Sequence, residues 1–259
     1  MSTLNVLVSH LPAPAVEEQL GLLRRIAPEA RFVVAYGGEP PDFELIRDPH
    51  KALLADPSLS GPPRSFQSYS VALELILERW LRDDPEIDSV YLFEFDHLIL
   101  RGGFERALLE LAARTEADMM GKCCVERNGT NWHHYTRFRN DAELHEQLRR
   151  VTVRSDPGRI FGTLGNGMWL RRAAVEAYVA AAPHPRCYGE VYVPTLVHHL
   201  GFNVVDIDAH SRLYEPVRWE PEYSGAELAR VRSAGATFAH PVKDAALRSE
   251  ALSWAAAQA

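Results

Sequence analysis

The stretch Ser89-Val90-Tyr91-Leu92-Phe93-Glu94-Phe95-Asp96 decides the fold. An almost continuously apolar run closed by carboxylates reads as a strand buried on both faces. Strands of that kind belong to parallel sheets covered by helices on each side. The same pattern repeats upstream. Leu4-Asn5-Val6-Leu7-Val8-Ser9 and Arg31-Phe32-Val33-Val34-Ala35-Tyr36 read as strands, the second stopped by Gly37-Gly38. Val16, Leu20, Leu23 and Ala27 recur at helical spacing between them, and Tyr69, Ala72, Leu73, Ile76 and Trp80 form a second stripe. This alternation predicts an α/β fold with a mixed, mainly parallel central sheet and helices on both faces. Ligands of such sheets bind beyond the carboxyl ends of the strands, which directs attention to Ser9-His10, Tyr36 to Gly38, and Glu94 to Asp96.

Downstream, Phe104, Ala107, Leu108 and Leu111 predict a helix and residues 117–125 a strand. The polar stretch 128–159 reads as a binding excursion, 162–167 as a glycine-dense turn leading into Met168-Trp169-Leu170, and 194–200 as a helix stopped by Gly201. Residues 39 to about 64 form a long connection of the kind that is usually functional or partly helical. The expected organisation is one domain: a nucleotide-binding half over about 1–125, an acceptor-shaping half over about 126–245, and a C-terminal helix or tail over 246–259.

With 46% hydrophobic and 24% charged residues in 259, the chain can bury a core without disulfides or structural metal. Three cysteines make neither a disulfide framework nor a zinc ribbon, and a reducing, cytoplasmic setting is expected. A formal charge of −7 argues against nucleic acid as partner. No apolar run reaches the roughly 20 residues of a membrane span, which leaves peripheral membrane contact open. There is no P-loop, no H-E-x-x-H and no G-x-S-x-G elbow.

Two hard carboxylates spaced as Glu94 and Asp96 suit Mg²⁺ or Mn²⁺ held jointly with a diphosphate. The strand-end residues Ser9, His10 and Tyr36, and Arg64 and Gln67 ahead of the second helical stripe, are candidates to contact a base or diphosphate. Trp132, His133 and His134 offer aromatic faces with polar tips to an acceptor sugar.

In that setting the sequence resembles a glycosyltransferase of the GT-A fold, over about residues 4–243. Glu94-Phe95-Asp96 stands where that family has a D-x-D motif after an apolar strand, with Glu in the first position. Gly165-Asn166-Gly167-Met168-Trp169-Leu170 matches its small-residue turn and strand, which adds Asn166 and Trp169 to the acceptor candidates. Glu190, in Gly189-Glu190-Val191-Tyr192, matches an acidic residue opening a later helix, and His240-Pro241-Val242-Lys243 a downstream metal-site histidine. The resemblance implies that Asp96 and His240 ligate Mn²⁺ or Mg²⁺, that Glu94 holds ribose or a metal-bound water, and that Lys243 faces the diphosphate. It also implies that Glu190 is the general base of an inverting transfer. The implied partners are a UDP- or GDP-linked sugar and a carbohydrate or lipid-linked acceptor. A sugar-phosphate nucleotidyltransferase on the same fold lacks its glycine- and lysine-rich loop after Leu4–Val8. A non-catalytic carbohydrate- or partner-binding protein on a transferase scaffold is favoured only by the Glu at position 94.

Overall fold

The structure, a computed structural model, describes residues 2–54 and 68–259. Its first half runs β1 (Ser2–Ser9), α1 (Ala13–Ile26), β2 (Arg31–Tyr36), α2 (Pro40–Leu45), β3 (Lys51–Leu53) and α3 (Ser68–Ile76), the last continuing into a π-helical turn (Leu77–Leu81). Then come β4 (Ile87–Glu94), β5 (Leu98–Ile99), α4 (Phe104–Thr115), β6 (Met119–Glu126), α5 (His133–Phe138) and α6 (Ala142–Val151). The remainder is β7 (Phe161–Arg171), α7 (Arg172–Ala180), α8 (Gly189–His199), β8 (Val204–Asp206), α9 (Gly225–Ser233), β9 (Phe238–Ala239) and α10 (Ala245–Ala256).

Seven strands form one sheet in the order β3-β2-β1-β4-β7-β6-β8. Only β7 runs against the others, pairing antiparallel with both β4 and β6. This is the mixed, mainly parallel central sheet that the sequence predicts. Side chains on β4 alternate as a strand requires: Tyr91 and Phe93 enter a core with α1, α4 and α10, whereas Val90 and Leu92 enter one with α3, α7 and α8. Both faces of the strand are therefore dry, which is why it carries no alternation of polar residues. β1 has β2 on one side and β4 on the other, so the strand order reverses there and a crevice opens beyond Ser9 and Glu94.

Three sequence expectations change. Residues 162–167 are not a turn but part of the eleven-residue β7. Their glycines serve close approach instead. A Cβ on Gly162 would lie 2.2 Å from the Trp132 ring, and one on Gly165 would lie 2.8 Å from the Tyr69 ring and 2.9 Å from Glu190 Cγ. The helix expected over 194–200 begins earlier, at Gly189, and tolerates Pro194 inside it. The polar excursion is partly helical, as α5 and α6. The long connection contributes α2 and β3, and residues 55–67, with Arg64 and Gln67, lie outside the described residues.

Candidate functional site

A two-stranded ladder that the sequence reading missed assembles the site. β5 and β9 pair antiparallel, with Leu98 opposite Ala239, and Val242 N donates to Asp96 O at 3.0 Å. The chain segments flanking this ladder bring Asp96 and His240 face to face. Asp96 Oδ2 lies 3.5 Å from His240 Nε2, and each residue is 3% exposed. β4 itself ends at Glu94, so Asp96 stands in a turn and not on the strand.

The tautomer of His240 follows from its other nitrogen. Nδ1 lies 2.7 Å from the carbonyl of Arg218, which can only accept, so Nδ1 carries a proton. In a neutral ring Nε2 then turns a lone pair toward a carboxylate oxygen, and two acceptors so placed need a proton or a cation between them. Asp96 Oδ1 is buried without a hydrogen-bond partner. The Asp96 carboxylate, with one oxygen unpartnered, and the His240 imidazole are two donor groups that could hold a divalent cation such as Mn²⁺, with positions left for oxygens of a ligand. Among the described residues no three His, Cys, Asp or Glu side chains gather into a closed cage. The positive charge of Arg248, 5.4 Å from the Phe95 ring centroid, also acts on Asp96.

Glu94 turns elsewhere. Its Oε1 accepts from the Tyr69 hydroxyl at 2.5 Å. Burial raises the Glu94 carboxyl above its ordinary value, opposed by that bond and reinforced by Asp96. Tyr69 is clamped between two glycines: a Cβ on Gly189 would meet its ring at 2.5 Å, and Gly165 approaches from the other side. Only residues lacking a side chain allow α3, β7 and α8 to converge here.

Gly165 also leads to Glu190. Its backbone N–H donates to Glu190 Oε1 at 2.7 Å, and Glu190 is 4% exposed in the first turn of α8. Burial pushes its carboxyl up to about 8, against the lowering effects of the Gly165 bond and Arg127. At a helix start the macrodipole favours the ionised acid, and here burial prevails. Glu190 Oε2 stands 3.7 Å from His134 Nε2. His134, stacked on Tyr188 with centroids 4.0 Å apart, is held down to about 4 by burial. Between those pH values both groups are neutral, so this contact is not an ion pair.

Glu190 and His134 line a cavity of about 300 Å³ with Lys122, Arg127, Trp132, His133 and Trp219. Trp219 directly follows Arg218, whose carbonyl holds His240, so one short segment joins the Asp96–His240 pair to the Glu190 cavity.

Of the expected acceptor residues, Trp132 and His133 line this cavity, and Trp132 rests on Gly162. Asn166 is buried with its Oδ1 unpartnered. Trp169 packs into the core beside Tyr91, paired across β7 and β4, which leaves it no face to offer a sugar. Ser9 Oγ accepts from Leu11 N at 3.2 Å, and the buried Tyr36 hydroxyl donates to Leu11 O at 3.0 Å, so both shape the β1 turn. His10 is exposed and meets the Phe95 ring edge-on. Lys243 is exposed, 3.7 Å from Glu222. The sequence reading missed Tyr69, Arg127, Arg218 and Trp219; for the first, its place on an apolar helical stripe concealed a buried hydroxyl.

No family model and no curated protein sequence matches the chain. Solved structures similar to it include a glycosyltransferase involved in the glycosylation of the major capsid of PBCV-1, at 10% identity and TM-score 0.45, covering 97% of this chain and 99% of that one. The galactosyltransferase LgtC in complex with donor and acceptor sugar analogs is similar at 10% identity and TM-score 0.42, with 99% and 95% covered. Mouse xyloside xylosyltransferase 1 is similar at 13% identity and TM-score 0.35, with 78% and 77% covered. The likeness is in chain path.

Proposed function

We propose that the protein is a glycosyltransferase that moves a sugar from a nucleotide-diphosphate donor to a hydroxyl acceptor. The observation that carries this reading is the buried Asp96–His240 pair, with Asp96 Oδ1 unpartnered, at the carboxyl-end crevice of the sheet. Asp96 and His240 would hold a divalent cation, Mn²⁺ or Mg²⁺, which when bound offsets the charge building on a departing diphosphate. Lys243, at the same edge, adds a point charge to that group. Glu94, fixed by Tyr69, is placed to accept from a ribose hydroxyl or a bound water.

Glu190 faces the acceptor side. In an inverting transfer its Oε2 takes the proton of the acceptor hydroxyl as that oxygen bonds to the anomeric carbon. The bond from that carbon to the diphosphate breaks, and the diphosphate departs with the electron pair. Holding Oε1 on the Gly165 N–H aims the other oxygen into the cavity. A second reading has a specific observation behind it. A carboxyl pushed up to about 8 is protonated at neutral pH and donates a hydrogen bond instead, which suits a retaining transfer in which Glu190 only orients the acceptor.

Release of UDP or GDP from a panel of nucleotide sugars, with Mn²⁺ and with EDTA, tests the reading. Cation-dependent release from at least one donor supports it, and none from any donor refutes it.

A further inference from the structure

Arg127 is unused by the chemistry above. It lines the cavity that holds Glu190, with its guanidinium 4.6 Å from the Trp132 ring centroid. Its NH2 donates to the carbonyl of Cys123, a β6 residue at a left-handed φ of 52°, at 2.7 Å. Its Nε is buried with no partner, and no carboxylate lies within ion-pair distance among the described residues. The other strong cation of the cavity, Lys122, is taken by Asp208 at 2.6 Å and by the Tyr214 carbonyl at 2.9 Å. The carboxyl of the cavity, Glu190, is bonded through Oε1 to the Gly165 N–H and forms no ion pair with Arg127. A guanidinium seated over an indole carries N–H donors in one plane, and such a fork pairs with a carboxylate. In the same cavity Trp219 is 53% exposed, with His133 at 6.2 Å between ring centroids, and presents an apolar face of the sort that a pyranose ring covers.

We infer that the acceptor is an acidic sugar, a uronic acid residue whose ring stacks on Trp219 and whose carboxylate is received by Arg127. This rests on the glycosyl-transfer reading and specifies its acceptor. Asp96 and His240 do not line this cavity, so the donor's diphosphate has its own site.

The probes are the methyl glycosides of glucuronic and galacturonic acid and of their neutral parents, glucose and galactose. Binding is followed by saturation-transfer NMR and tryptophan fluorescence, with and without UDP and Mn²⁺. At least one uronide is expected to bind ten-fold or more tightly than its neutral parent. Arg127→Gln should erase that preference, Arg127→Lys should keep part of it, and Trp219→Ala should weaken both kinds of glycoside alike. Thermal unfolding checks that each variant folds. Equal affinity of uronide and parent, no binding of either under any condition, or an Arg127→Gln protein that keeps the preference would overturn the inference. So would an Arg127→Gln protein that loses UDP affinity while its glycoside preference is intact, since Arg127 would then serve the donor. Asp96→Ala separates the two levels: it should lose cation-dependent UDP binding and retain the uronide preference. Uronide preference without any UDP binding in the wild type sinks only the transfer reading, and UDP binding without the preference sinks only the acceptor assignment.

Discussion

The backbone N–H of Gly165 donates to Oε1 of Glu190 at 2.7 Å, and the same glycine lets the Tyr69 ring lie within a Cβ's reach. One residue on β7 thus fixes a carboxyl on α8 and an aromatic ring on α3, and that ring's hydroxyl fixes Glu94 at the end of β4.

Gly165→Ala tests this convergence. An added methyl would meet Tyr69 at 2.8 Å and Glu190 Cγ at 2.9 Å, with no flexible chain end to yield. Overpacking of this kind costs about 1–3 kcal/mol. Urea unfolding should show a loss in that range, and steady-state kinetics a larger fall in activity than the stability loss explains. A variant with wild-type activity and midpoint would show that the contact is loose.

Removing the Tyr69 hydroxyl should act on Glu94. Its bond lowers the Glu94 carboxyl, which burial already raises, so Tyr69→Phe pushes that carboxyl further up. Bonds to charged groups contribute about 1.5–3 kcal/mol. The expected outcome is weaker donor binding at pH 6 than at pH 8, measured by calorimetry, with the pH difference larger than in the wild type.

Much of the fold can be read from the sequence because β1, β2 and β4 are dry on both faces and announce it as apolar runs. The pairing of β5 with β9 cannot: two-residue strands leave no periodic trace, yet they set Asp96 against His240. The glycines of β7 mislead for a physical reason. Glycine signals a turn when backbone freedom is needed, but at Gly162 and Gly165 it is the missing side chain that matters. Arg127 and Trp219 carry no motif, and only the cavity between β6, α5 and the segment after Arg218 joins them to Glu190.

Glu190 separates the two mechanistic readings by pH. As a base it works only when ionised, so kcat/KM should rise through about pH 8, and Glu190→Gln should lose roughly 10²–10⁴-fold. As a neutral donor it works below that pH, activity should fall through about 8, and the glutamine variant should keep most of it.

The same carboxyl links stability to pH. A raised carboxyl stabilises the fold while it keeps its proton, so its contribution is complete below the ordinary value of 4.5 and is lost as pH rises to about 8. Glutamine keeps the acceptor for Gly165 N–H and has no proton to lose. Glu190→Gln should therefore melt higher than the wild type at pH 8.5 and close to it at pH 4.5, by calorimetric scan. Parallel curves for the two proteins would place Glu190 in a wetter setting than its 4% exposure implies.

The most direct measurement of the central claim is isothermal calorimetry of UDP and of GDP binding, with and without Mn²⁺, to the wild type, Asp96→Ala and His240→Ala. Nucleotide binding that strengthens at least ten-fold with the cation in the wild type, and loses that gain in both variants, is the result this account requires. Nucleotide and cation binding unchanged by either substitution would contradict it.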